Sequence, residues 1–224
     1  MKTKDENQNI LRRKKTIEKL KEMQIDYAED LPMLEINNFK LKSLNQICRK
    51  MVATIFAISY AVIRRQNIND FSDEINQKLM DKYGVSEEDF NELELKAVNN
   101  TANDKELEMV LWEYEIYWTL LWAIGLVDDI SDSAMCNCEY CVKTLISSVN
   151  YFDFVRKCKL RDINEIIDAL DLYYHYAFST YIKKYKKNNI NVQNLNYDVC
   201  LERRRALLWL LSPEFDWFNI SIKL

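Results

Sequence analysis

The sequence predicts an all-α protein: a single multi-helix globular bundle of about eight helices, with no sheet of consequence. Three observations predict it. Two glycines and two prolines stand in 224 residues, about 2% of the chain where an average chain carries roughly 12%. Sandwiches and barrels turn about every ten residues, usually on Gly or Pro. Apolar residues recur at i, i+3, i+4 and i+7 along most of the length, the period of one helix face. The two glycines, Gly84 and Gly125, each follow such a run, where a left-handed helix-closing residue belongs.

A first helix is expected over 9–23, with Ile10, Ile17 and Leu20 on one side. Residues 1–8 read as a frayed or disordered start. An irregular stretch holding Leu31-Pro32 follows, and a second helix starts near Ser43. Its stripe is Leu44, Ile47, Cys48, Met51, Ile55, Ile58 and Val62. The third spans 69–83 and closes on Gly84. Ser86, followed by Glu87, Glu88 and Asp89, opens a fourth, since a side-chain oxygen and negative charge both suit a helix N-terminus. The fifth spans 104–124; its second half is apolar on nearly every face, the mark of a helix packed on several sides. Residues 128–133 form a loop, and short helices cover 139–148 and 151–157. A long helix begins near Asp162 with the stripe Ile163, Ile166, Ile167, Leu170, Tyr174, Ala177, Phe178 and Tyr181. It ends in lysines 183, 184, 186 and 187, a solvated end that complements the helix dipole. The last helix spans 197–211 and stops at Pro213. No linker interrupts the chain, so one domain over 1–224 is expected. The abundance of Asn, Ile and Lys reads as compositional bias.

Composition excludes several function classes. With only two glycines, far apart, neither a dinucleotide fingerprint nor a P-loop can form. The single histidine, His175, rules out HExxH zinc sites. A net charge of −4 speaks against nucleic acid as a partner, because phosphate contacts dominate that affinity. The opening MKTKDENQNILRRKK has no apolar leader, and the longest apolar run, 52–63, is shorter than the roughly 20 residues a membrane span needs. A cytoplasmic protein is expected, with no membrane contact and no cofactor. Its six cysteines are then thiols.

Several groups could carry chemistry. Asp168, Asp171 and His175 share one helical stripe by their spacing. Two carboxylates and an imidazole could bind a divalent cation or share a proton; the simpler reading pairs them with cations on neighbouring helices. Arg203 falls in the apolar stripe of the last helix with Val199, Ala206 and Leu210, while Arg204 and Arg205 point elsewhere. An inward arginine must meet a carboxylate, and Glu115 and Asp171 are the two expected partners. Cys138 and Cys141 have CxxC spacing beside Cys136. No second pair completes a zinc site, so no metal is assigned and incidental thiols are the better reading. The aromatics Trp112, Trp118, Trp122, Tyr174 and Trp209 could line a ligand pocket, although a helical core also uses such side chains.

These residues carry a resemblance. Trp112-x-x-Glu115, then Leu120-Leu121-Trp122-Ala123-Ile124-Gly125, then Ile167-Asp168-Ala169-Leu170-Asp171-Leu172-Tyr173-Tyr174, then Glu202-Arg203 with Ala206-Leu207 and Trp209-Leu210 resemble a bacterial family catalogued as domain of unknown function 4272. The similarity runs from about Arg13 to Trp217. Where the family usually has Arg, this chain has Glu113 in one place and His175 in another. A cation at the second place fits an ion pair with Asp168 or Asp171 better than a metal site. The resemblance implies an all-helical domain and assigns no activity.

Three functions therefore compete. The first is a non-enzymatic module that binds a protein partner, favoured by the missing catalytic motifs. The second is a metal-assisted hydrolase using Asp168, Asp171 and Glu115. The third is a small-ligand binder with an aromatic pocket of at least about 300 Å³. The polar cluster Glu115, Asp168, Asp171, His175, Glu202 and Arg203 is the first place to look under any of them.

Overall fold

A computed structural model of the chain describes residues 4–66, 73–187 and 189–221. Among the described residues nine α-helices form and no strand does. They are α1 (Lys4–Glu22), α2 (Leu44–Arg65), α3 (Asp73–Tyr83), α4 (Glu92–Val98), α5 (Asp104–Ala123), α6 (Cys138–Ile146), α7 (Tyr151–Arg156), α8 (Ile163–Tyr185) and α9 (Tyr197–Leu210). The chain divides into two compact units. One holds residues 1–41, 129–135 and 161–224, and so α1, α8 and α9; the other holds 42–128 and 136–160, and so α2 to α7.

The unit built on α2 buries that helix almost completely, from Ile47 to Ile63. Its main neighbours are α5 and α4, with α3, α6 and α7 against it as well. Ser43 starts it with a reciprocal cap: the Gln46 amide donates to Ser43 Oγ, and the Ser43 amide donates to Gln46 Oε1 at 2.9 Å. Among the described residues, α2 is the one helix long and apolar enough to cross a membrane, and 78% of that stretch is buried inside the protein. In the other unit α8 is packed by α9 and α1. It is therefore buried beyond the expected stripe: Leu172, Tyr173, Tyr176, Asp171 and His175 are all buried, while Ile163, Tyr174, Phe178 and Tyr181 are only half-buried.

Three expectations about the elements change. Residues 4–8, expected to fray, lie in α1; Asp5 and Glu6 suit its N-terminus, and Gln8 donates to Asn164 Oδ1 at 2.7 Å. Residues 1–3, and the expected start of the third helix at 69–72, lie outside the described residues. Ser86 opens only a single 3₁₀ turn, and α4 starts instead at Asn91, whose Oδ1 accepts the Glu94 amide at 2.8 Å. The asparagines are also more than a bias, because five of them (Asn91, Asn103, Asn137, Asn150 and Asn196) cap helices. Each such cap contributes about 1 kcal/mol.

Both glycines close helices with positive φ, +65° at Gly84 and +76° at Gly125. Gly125 has a second reason, since a Cβ there would stand 3.0 Å from the Lys159 carbonyl oxygen. With no further glycine available, the turns after α1, α4 and α8 put Gln24, Asn100 and Lys187 at φ between 54° and 56°. Each of these pays the left-handed penalty of roughly 1 kcal/mol.

Candidate functional site

In the α8 unit, consecutive arginines of α1 take the two predicted carboxylates. Arg12 Nε donates to Asp168 Oδ1 at 2.6 Å, with Asn9 Oδ1 accepting from Arg12 Nη1 at 3.0 Å. Arg13 Nη2 donates to Asp171 Oδ1 at 2.8 Å, and its Nε lies 3.3 Å from both carboxylate oxygens. The same guanidinium donates to the carbonyls of Leu31 at 2.7 Å and Pro32 at 2.8 Å. Arg13 and Asp171 are buried, whereas Asp168 stays half open. The two carboxylates thus tie α1 and the 31–32 segment to α8.

His175 stands one turn beyond Asp171, fully buried, and neither ring nitrogen has a hydrogen-bond partner. Tyr27 meets it edge-on, with ring centres 6.2 Å apart. Burial, and then the Arg13 charge, push its pKa down to about 4, against the opposing pull of Asp171. Unfolded, this imidazole takes a proton near its ordinary pKa of about 6.5. Between those two values the unfolded chain binds the extra proton, so stability is full above about pH 6.5 and falls as pH drops to about 4. The total loss from this group is roughly 3 kcal/mol. Chemical denaturation at a series of pH values should show this slope, and His175→Phe should flatten it. An unchanged slope in the variant would assign the acid loss to other groups.

The remaining members of the cluster make further contacts within their own units. Asp171, one expected partner of Arg203, is held by Arg13. Within its own unit Arg203 is buried and donates to main-chain oxygens: Nη1 to Asp132 O at 2.7 Å and Nη2 to Ala134 O at 2.6 Å. Nη1 also reaches the Tyr173 hydroxyl at 3.0 Å, and the exposed Asp132 carboxylate is 3.9 Å away. Arg203 therefore fastens the 129–135 segment to α8 and α9. Arg204, expected to point away from the apolar stripe, is buried with its guanidinium 4.5 Å above the Tyr174 ring, and burial pulls its pKa down to about 10. Glu202 accepts from Arg205 Nε at 2.9 Å; burial raises its pKa against the pull of that arginine. Glu115 belongs to the α2 unit, where its Oε1 accepts the Cys136 amide at 2.8 Å and so holds the approach to α6.

The predicted aromatics divide between the units. Trp112, Trp118 and Trp122 lie on α5, and Tyr174 and Trp209 on α8 and α9. Trp122 and Trp209 are core side chains; Trp209 donates to Phe215 O at 2.9 Å and packs edge-on against Trp217. None of the six cysteines is joined in a disulfide. Among the described residues no three His, Cys, Asp or Glu groups gather as a metal site.

An open cleft of the α2 unit lies away from the predicted site residues. It has a volume of about 580 Å³ and runs between the start of α2, the end of α3 and the start of α7, within the size range of ligand sites. Arg49 crosses it. Its Nη1 donates to Gly84 O at 2.8 Å, its Nε is 3.6 Å from Asp89 Oδ1, and its guanidinium lies 5.6 Å from the centre of the Tyr151 ring. The Tyr151 hydroxyl donates to Asn45 Oδ1 at 2.7 Å. On the opposite wall Tyr83 donates to Ser148 O at 2.9 Å, with the Lys82 ammonium 5.0 Å from its ring centre. Phe152 on the rim is 76% exposed, and Val149 and Ile146 beside it in sequence are 73% and 58% exposed. Three apolar side chains this open within seven residues are uncommon on a folded surface, where such groupings mark contact sites.

The family model described as a domain of unknown function, DUF4272, matches residues 12–220 of the 224-residue chain. The chain belongs to the DUF4272 family. No curated protein and no solved structure matches it. The DUF4272 match takes in both units, including Arg12, Arg13, the polar cluster and the cleft. One signal for the arginines was present in the sequence, since Arg12-Arg13 follows the apolar Ile10-Leu11 pair on the first helix. The cleft had a fainter one, the Asn150-Tyr151-Phe152 run between two short helices.

Proposed function

We propose that this DUF4272 chain is a non-enzymatic protein-interaction module of the bacterial cytoplasm, and that it takes its partner at the corner between α6 and α7. The observation that carries the reading is the exposure of Phe152, 76%, on the rim of the cleft, with Val149, 73% exposed, three residues before it. Leaving such side chains in water forgoes about 2 kcal/mol each of burial, which a docked partner recovers. Six cysteines with no disulfide among them suit a reducing compartment. The hydrolase reading draws no support from Asp168 and Asp171, because each gives its charge to an arginine.

Photo-crosslinking in producing cells tests the reading. A photoreactive phenylalanine derivative at position 152 or 149 should capture one and the same protein, and the derivative at exposed Leu11 should not. Phe152→Asp should cut capture from position 149 by about tenfold, the loss expected for an aromatic anchor, with folding unchanged. Capture that is absent from 149 and 152, or equal from position 11, sinks the proposal.

A further inference from the structure

Two cysteines meet where α7 packs on α2, inside one unit of the chain. Tyr151 opens α7, and its hydroxyl donates to Asn45 Oδ1 at 2.7 Å, which sets the start of α7 on the first turn of α2. Cys48 stands one turn beyond Asn45 and is fully buried. Cys158 follows the C-cap of α7 and is half-buried. The backbone there is pinned on both sides. The Cys158 amide donates to Val155 O at 3.0 Å, and the Lys159 amide donates to Ile124 O, at the C-cap of α5, at 2.8 Å. The Cys158 thiol is folded back on the helix end and donates to Phe154 O at 3.2 Å, beside the fully buried Phe154 ring. In that position its sulfur accepts from the Cys48 thiol.

The two thiols are not equivalent. The Cys48 hydrogen bond pulls the Cys158 pKa below its ordinary value against the cost of burial, and the Lys157 ammonium helps. The same contact, together with burial, pushes the Cys48 thiol up. The first proton to leave is therefore that of Cys158, the more open of the two. A thiolate within reach of solvent beside a second, buried thiol is the arrangement of an attacking and a resolving cysteine. Cys138 makes the contrast. It is exposed, yet desolvation, and then Cys136 and Glu115, push its pKa up to about 11.

We propose that Cys158 and Cys48 are a modification site, joined in a reversible disulfide when the protein meets hydrogen peroxide. The Cys158 thiolate attacks one peroxide oxygen. The O–O bond breaks, hydroxide leaves and takes up a proton, and Cys158 becomes a sulfenic acid. The Cys48 sulfur then attacks the Cys158 sulfur. Its S–O bond breaks, and the departing hydroxide takes the Cys48 proton. One peroxide and two thiols thus give one disulfide and two waters; each sulfur loses one electron and the peroxide oxygens gain them. In a reducing compartment the bond is transient, because a dithiol restores both cysteines in two exchange steps.

Peptide mapping of the full chain tests this. The reduced protein meets hydrogen peroxide briefly, is blocked with iodoacetamide in denaturant, and is digested for mass spectrometry. The Cys48 and Cys158 peptides should appear joined, and dithiothreitol should separate them. Cys48→Ala keeps a small apolar group in the core. It should oxidise more slowly and stop at a Cys158 sulfenic acid that dimedone labels. Cys158→Ser should leave Cys48 reduced under the same exposure. In the native parent chain at neutral pH, without peroxide, iodoacetamide should alkylate Cys158 at least about tenfold faster than the more exposed Cys138. Should Cys48→Ala fail to fold, the joined peptides and the alkylation order of the parent chain still decide. The proposal is overturned if no joined Cys48 and Cys158 peptides form, if Cys136, Cys138 or Cys141 pair in their place, or if alkylation simply follows exposure.

Discussion

Replacing Lys50 with Met is expected to cost the protein roughly 3–5 kcal/mol of stability. Lys50 on α2 pairs with Glu94 on α4, and both are buried. The Glu94 carboxylate also accepts from Thr54 Oγ1 at 2.7 Å and from the Asn91 amide at 2.7 Å. Its lone pairs are therefore well met, and among the described residues its one cation is Lys50. In Lys50→Met the carboxylate stays buried with neutral donors only. A charge in that position is costly, so Glu94 must either open the α2–α4 contact or take up a proton. Adding Glu94→Gln removes the charge, keeps one oxygen for the Asn91 amide, and turns an NH2 toward Thr54 Oγ1, which can accept while donating to the Lys50 carbonyl. The double variant should therefore regain most of the loss. Urea denaturation of the four proteins in the cycle measures this, and an interaction energy near zero would show that the pair contributes no specific coupling.

Arg13→Met should be comparably severe, again roughly 3–5 kcal/mol. Asp171 loses its cation while buried, and the carbonyls of Leu31 and Pro32 lose a donor each. Arg13→Lys should recover only part of this, because an ammonium cannot reach a carboxylate and two carbonyls with the geometry of a planar fork. The variant also changes the acid limb. Arg13 is one of the forces that depress His175, while Asp171 opposes it. Without Arg13 the imidazole faces an unpaired carboxylate, so its pKa rises toward its ordinary value. The stability lost between about pH 6.5 and pH 4 in the parent protein should then shrink in Arg13→Met. Thermal or urea melts of both proteins across that range test it. A slope as steep as the parent's would mean that Arg13 does not govern His175.

How far these features could be read from the sequence depends on the range of the interaction. The helices were legible because their signals are local. Ser43 and Gln46 cap α2 across three residues, and Gly84 and Gly125 close helices at the ends of apolar runs. The α8 stripe was legible in period and less so in extent. Helices on two sides bury Tyr173, Tyr176 and His175 beyond the face that periodicity alone marks. The carboxylates Asp168 and Asp171 were legible as partners seeking cations. Their actual partners, Arg12 and Arg13, lie 156 and 158 residues away in sequence. Glu94 and Lys50 were not legible at all, since a Glu and a Lys on helices ordinarily face water and only the α2–α4 contact makes them buried.

The sequence alone determined the all-helical class, most helix positions, and the exclusion of glycine-dependent phosphate loops, because backbone period, caps and glycine supply act over a few residues. It also carried the family, through short motifs spread along the chain. Only the tertiary structure decided which arginine meets which aspartate, which acidic groups lie inside, and that Arg49, Tyr83, Gly84 and Tyr151 come together around one cleft. Those outcomes depend on how faces of distant helices meet. Many Arg–Asp and Lys–Glu pairings satisfy the same local chemistry, and packing selects among them.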